Sequence, residues 1–285
     1  MRLTRRGLLV AGGAVATAGA TGALVEHDRL PGRSRAHALL GLTGEPGTIP
    51  DAEPGERDEG RFTSAHVEVD PHWVITHPPG VSPGARLPVV VALHGAGRTA
   101  EAWFDELGVD QFLAASGHRF AVAAVDGGLR SFWHERSDGQ DPGRMLHDEF
   151  LPLLADRGLS LAGVLGWSMG GLGALLLGSR LADQGDEQPV LAVSPALWPE
   201  HDQAMPEAYD TEEQYDEATA RAREQLARES RVDCGTADPF YRDVRAVIDG
   251  IDVEQHYEQG AHDAAYWTRV LPGQLDWLAA RTSAS

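Results

Sequence analysis

The chain has 285 residues, 42% of them hydrophobic, which is enough for one large domain with a substantial core and too apolar for a disordered segment. It carries 43 acidic residues against 24 basic ones, every one of the latter arginine, and the formal net charge of −19 sets it against nucleic acid and anionic lipid headgroups as partners. The single cysteine, Cys234, excludes an internal disulfide, and no Cys/His cluster has the spacing of a zinc site.

Residues 1–25 open on a basic stretch and then carry no charge from residue 7 onward, which is the layout of a secretory signal. Arg5 and Arg6, after Thr4 and before Gly-Leu-Leu, resemble a twin-arginine export signal, and the small residues at 18–20 suit cleavage. Retention as an uncleaved anchor is the alternative; either way the expected location is extracellular or in the cell envelope. Residues 26–62, dense in Gly, Pro and charge, read as a flexible spacer before a folded domain at 63–285.

Within that domain, "AHVEVD" and "HWVITH" alternate apolar and polar residues and predict an antiparallel edge hairpin. "LPVVVALHG" is a continuous apolar run that predicts a strand buried on both faces, followed by a helix around residues 101–115. "RFAVAAVDGG" predicts a further buried strand, and "DPGRMLHDEFLPLLADRG" a helix through Met145, Phe150, Leu153 and Leu154. "LAGVLGW" leads at once into a helix after Ser168, and "PVLAVSPALW" follows as another strand. An acidic insertion at 199–229 predicts a short lid or side helix, and "SRVDCG", "VEQHYEQG" and a final helix through Trp277 close the chain. Strands alternating with helices imply an α/β architecture with a mostly parallel sheet covered on both faces, ligands sitting at the carboxyl ends of its strands.

Gly166-Trp167-Ser168-Met169-Gly170 fits G-x-S-x-G at a strand-to-helix junction, the setting of a nucleophile elbow. A serine hydroxyl needs a base and an acid behind it, which in this fold follow in the order Ser, Asp or Glu, His. Asp238 in "GTADPF" and His262 in "GAHDAAYW" fall past the ends of later strands in that order. Asp233 and His256 belong to strand bodies, Asp263 would point away from its neighbour, and His201 and Asp202 sit in the acidic insertion. Cys234, at a strand end without a base nearby, reads as a buried structural thiol. Two backbone N–H groups would form an oxyanion hole: Met169, directly after the serine, and Ala96 in "LHGAGRT". His94 suits an architectural hydrogen bond better than the role of base. Trp133 and His134 line the pocket or pack their loop, the sequence leaving both readings open; Trp198 is a further pocket wall, and Trp267 fits helix packing.

"LHGAG", "VDGGLRSFWHE", "HDEFLPLL", "GWSMGGLGAL", "GTADPF" and "GAHDAAYWTRVLP" together resemble the esterase D/antigen 85 group of α/β-hydrolases, which includes feruloyl and acetyl xylan esterases. The resemblance spans about residues 87–280 and implies Ser168, Asp238 and His262 as triad and Ala96 and Met169 as oxyanion donors. It implies a serine carboxylesterase acting on a small-molecule, polysaccharide or lipid ester, with no metal or organic cofactor. The mycolyltransferase branch has Asp-Gly-Leu-Arg where this chain has His-Gly-Ala-Gly, and a glutamate acid, so the sequence departs from it. Acyl transfer to a sugar or lipid hydroxyl shares the same acyl-enzyme and stays open. A non-catalytic binding protein on a hydrolase scaffold is the reading from another class; it would normally lack a triad member.

Overall fold

The computed structural model describes residue 37 and residues 40–282, so the leader read over residues 1–25 lies outside the described residues. Eight strands form one sheet in the order β1-β2-β4-β3-β5-β6-β7-β8. They are β1 (Arg57–Arg61), β2 (His72–Thr76), β3 (Leu87–Leu93), β4 (Ala121–Val125), β5 (Leu159–Trp167), β6 (Val190–Val193), β7 (Ser230–Gly235) and β8 (Glu254–Glu258). β1 and β2 pair antiparallel, as do β2 and β4, and every later pairing is parallel. The central strands β3 to β6 are apolar almost throughout because helices cover both of their faces.

The helices are α1 (Ala102–Asp105), α2 (Val109–Ser116), α3 (Pro142–Met145), α4 (Leu151–Asp156), α5 (Met169–Ala182), α6 (Glu212–Leu226), α7 (Tyr241–Ile248) and α8 (Ala264–Thr282). A π-helical turn, Leu146–Phe150, joins α3 to α4. Two hydrophobic clusters fill the two sides of the sheet. One gathers Met145, Leu172, Leu175, Leu226 and Val247 from α3, α5, α6 and α7; the other gathers Trp103, Leu113, Leu271 and Leu278 from α1, α2 and α8. The helix expected around residues 101–115 is therefore two, broken at Gly108, whose φ of 63° no helix interior accommodates. The acidic insertion supplies α6, a side helix packed on α5, rather than a lid.

Two expectations near the amino end are corrected. The edge hairpin exists, but its first strand is β1 and not residues 65–70. There the Ser64 Oγ accepts from the N–H groups of His66 and Val67 and donates to Glu149 Oε2, a local bend that replaces a strand ladder. The segment read as a spacer over 26–62 is, over its described part, docked onto the domain: Ile49 packs against the α8-side cluster, Arg57 pairs with buried Asp110 at 2.5 Å, and β1 itself lies within it.

Candidate active site

Strand β5 runs out at Trp167 and α5 begins at Met169, leaving Ser168 as the only residue of the turn. Its backbone has φ 56° and ψ −122°, a conformation that a non-glycine residue adopts only at a cost of about 1–3 kcal/mol. The surroundings impose it. Ser168 N–H donates to Val193 O at 2.9 Å, while Ser168 O accepts from the N–H groups of Gly171 and Ala196. The flanking glycines are required by close approach: a Cβ on Gly166 would stand 2.0 Å from Gly170 O, and one on Gly170 would stand 2.1 Å from Leu93 O.

The carboxyl ends of β7 and β8 bring two more side chains to this turn. Asp238 is fully buried; one carboxylate oxygen accepts from Phe240 N–H at 2.8 Å and the other faces His262 Nδ1 at 2.8 Å. The opposite ring nitrogen, Nε2, stands 2.9 Å from Ser168 Oγ. With Asp238 ionised, Nδ1–H donates to it and Nε2 is left to accept the serine hydroxyl proton. His262 sits between two aromatic rings, Phe240 at 5.1 Å and Trp267 at 5.0 Å.

The loop after β3 passes beside the serine, where a Cβ on Gly95 would stand 3.3 Å from Ser168 Cβ. Among the described residues the Ala96 N–H, one position further on, is paired with no acceptor. The Met169 N–H belongs to the first turn of α5, whose amides have no partner within the helix. His94 is fully buried; its Nδ1–H donates to Gly95 O and its Nε2 accepts from Gly127 N–H. Burial pushes its pKa below the ordinary histidine value, outweighing the Gly95 carbonyl and Asp126.

The three residues read as pocket walls are not brought against Ser168 or His262. Trp133 is 1% exposed and its indole N–H donates to His94 O, so it props the loop after β3 from behind. His134 has both ring nitrogens against backbone carbonyls, of Glu135 and Ala208, and stacks on Tyr209. Both line a cavity of about 150 Å³ whose wall contains neither Ser168 nor His262. Trp198 packs among Phe132, Tyr209 and Phe240, one ring removed from the histidine. Trp267, read as helix packing, does pack against the α8-side cluster, and it also touches His262, stacks on Trp167 and donates its indole N–H to Ser194 Oγ.

The remaining rivals are engaged elsewhere. Asp233 is ion-paired with Arg231 at 2.6 Å and accepts from Gln274, and Asp263 Oδ1 accepts from Tyr266 N–H at the start of α8. Cys234 is buried, and that burial, followed by the Asp238 charge, raises its thiol pKa well above the ordinary value. A second cavity, about 520 Å³, is lined by His94, Thr99, Asp126 and Pro142 among others, and not by Ser168 or His262. The arginines at its rim, Arg98, Arg130 and Arg136, are each paired with an acid. Among the described residues no group of three or more His, Cys, Asp or Glu side chains is placed to hold a metal ion.

A family model described as "Putative esterase" matches residues 64–278. The chain belongs to this family of esterases. It is thus a carboxylesterase-type enzyme of the α/β-hydrolase fold. A ferulic acid esterase superposes with a TM-score of 0.63 at 20% identity, over 81% of this chain and 99% of that one. An S-formylglutathione hydrolase from Agrobacterium tumefaciens gives 0.66 at 17% identity, over 82% and 98%. The fluorophosphonate-binding serine hydrolase F of Staphylococcus aureus gives 0.62 at 17% identity, over 80% and 99%. At these identities the likeness of this esterase to the solved structures is one of fold. A search of curated proteins returns no match.

Proposed function

We propose that this esterase hydrolyses carboxylic esters through an acyl-enzyme on Ser168, with His262 as general base and acid and Asp238 as its partner. The observation that carries the reading is the unbroken hydrogen-bond chain from Ser168 Oγ through the imidazole to a fully buried carboxylate, at 2.9 and 2.8 Å. Ser168 Oγ attacks the ester carbonyl carbon as its proton passes to His262 Nε2, and Asp238 stabilises the imidazolium that results. The carbonyl oxygen, now negative, is held by the N–H groups of Ala96 and Met169, each such donor being worth about 3 kcal/mol to the transition state. The bond to the alcohol oxygen then breaks and His262 returns its proton to the leaving group. Water repeats the sequence on the acyl-enzyme and releases the acid.

The substrate class is a small-molecule ester or an ester on a polysaccharide or lipid. The acidic surface disfavours nucleic acid and polyanions. The test is labelling with a fluorophosphonate, read by intact mass, on wild type and on Ser168→Ala, His262→Ala and Asp238→Asn. One adduct is expected on the wild type and none on Ser168→Ala. The histidine and aspartate variants should react at least about 100-fold more slowly. A folded wild type that takes up no label would overturn the proposal.

A further inference from the structure

The family match begins at residue 64, yet residues 43–47, ahead of it, are fastened to the first turns of α8 and, through Arg269, to the loop that carries His262. Gly47 N–H donates to Ala265 O at 2.8 Å, three residues past the histidine. The fit there is tight: a Cβ on Gly47 would stand 2.2 Å from Arg269 N and 2.5 Å from Thr268 C. Arg269 is the anchor. Its Nε donates to Glu258 Oε1 at 2.7 Å, one terminal nitrogen to the carbonyls of Thr43 and Glu45, and the other to the carbonyl of Gln259. One guanidinium thus ties the end of β8, the start of the histidine loop and residues 43–45 together.

From that loop the load path to the site is short. Gly260 O accepts from Ala237 N–H at 2.8 Å, next to Asp238, and a Cβ on Gly260 would stand 2.2 Å from the Tyr266 ring. The loop therefore has little room to move while Arg269 and the amino-terminal segment are in place. The far end of the same segment is fixed separately, by Pro50 O accepting from Gln111 Nε2 and by the Arg57–Asp110 pair.

We infer that residues 43–50 form a strap, anchored on Arg269, that positions His262 against Ser168 and Asp238. The inference rests on the proposed role of His262. It makes Arg269 and Gly47 positioning residues: neither touches the reacting atoms, Arg269 acts through the 259–263 loop, and Gly47 acts through the first turns of α8 that follow it. A loose imidazole loses the aligned geometry from which proton transfer starts, and misplacement of about 1 Å costs on the order of 100-fold in rate.

The test compares Gly47→Val, Arg269→Ala, Arg269→Lys and Arg57→Ala with wild type in the full-length protein. It measures the second-order rate of fluorophosphonate labelling, kcat and KM on a p-nitrophenyl ester, and Tm. Gly47→Val and Arg269→Ala should label about 10- to 100-fold more slowly and lose kcat with little change in KM. Arg269→Lys should recover part of that loss. Arg57→Ala removes one tie beyond the other end of the strap, and should lower Tm while labelling at the wild-type rate. A merely structural strap would make labelling track Tm across all four variants, and that result overturns the inference. Unchanged labelling in Gly47→Val and Arg269→Ala overturns it too; if either variant fails to fold, Arg269→Lys against Arg57→Ala decides on the same readouts. An unreactive wild type would instead remove the hydrolase mechanism and the strap's role with it.

Discussion

Gly173 and Gly273 both lie inside helices, α5 and α8, and the same substitution at each should move stability in opposite directions. At a helix position with free space, Gly→Ala stabilises by about 0.5–1 kcal/mol, because glycine loses more backbone entropy on folding. Gly273 is such a position, exposed and with nothing within 4 Å of an added Cβ. At Gly173 the new Cβ would stand 2.4 Å from Trp133 Cγ, where ordinary carbon contacts are about 3.5–4.0 Å. The indole would have to retreat by about 1 Å, and it cannot do so towards Gly127, whose own Cβ position is 2.2 Å from the ring. Overpacking of this kind costs about 1–3 kcal/mol. The displacement also breaks the 3.2 Å bond from Trp133 to His94 O, for roughly 1 kcal/mol more. Setting the helix-propensity gain against these terms leaves Gly173→Ala about 1–3 kcal/mol less stable than wild type. Urea unfolding followed by far-ultraviolet circular dichroism measures both variants, as midpoint shifts at constant m. Because Trp133 props the loop that carries Ala96, Gly173→Ala should also lower kcat more than it changes KM. A Gly173→Ala protein as stable as wild type would refute the packing argument, and a destabilised Gly273→Ala would refute its counterpart.

Two further outcomes follow from the sequence and the site. Burial holds the folded-state pKa of His94 below its ordinary value of 6.5, so below that pH the unfolded chain binds the proton that the folded one refuses. Stability from this group is fully present above about pH 6.5 and declines as the pH falls from there towards the lowered value; His134, shifted the same way by burial, adds to the slope. Urea midpoints from pH 8 to pH 5 should fall for wild type and fall less steeply for His94→Asn, and equal slopes would remove His94 from the account. The proposed export signal over residues 1–25 is tested by replacing Arg5 and Arg6 together by lysine, which should leave the protein inside the producing cell. Wild type should be recovered outside the cytoplasm, and intact mass of that material distinguishes a cleaved leader from a retained anchor.

How much of this could be read beforehand depends on which force wrote each feature. Burial on both faces writes itself as an apolar run, so β3 to β6 are legible, and the order of the later loops points to Asp238 and His262, which the structure brings into one hydrogen-bond chain with Ser168. The edge strand β1 was not visible, because "RDEGR" pairs on one side only and offers no apolar face beyond Gly60 lying on the Trp73 ring. Ser64 spoiled the alternation that followed by bonding to its own backbone neighbours. The aromatic residues failed for a different reason. Where a ring points depends on backbone angles that composition does not mark: Phe132 and Trp133 both have positive φ, 53° and 62°, in a stretch without the glycine or asparagine that normally signals such a turn. That pair of angles turns Trp133 inward beneath His94 instead of outward to a ligand.

Trp267 packs with its helix as the spacing implies, but its contact with His262 is not legible in the sequence. Helical spacing assigns it to α8 correctly, but the face it presents is set by how that helix begins: Asp263 bonding the Tyr266 amide, and Gly47 lying across Ala265. Neither constraint is local to the tryptophan. The indole then reaches Ser194, which has a φ of 45° at the end of β6, just as Ser168 has 56° at the end of β5. Two adjacent strands thus end in strained serines, one offering its hydroxyl to His262 and the other accepting the indole that flanks the same ring. Two such residues at the carboxyl end of one sheet are held only because the neighbours over-determine both. The strain and its supports are therefore distributed over β5, β6, α8 and the amino-terminal strap, and no single motif in the chain contains them.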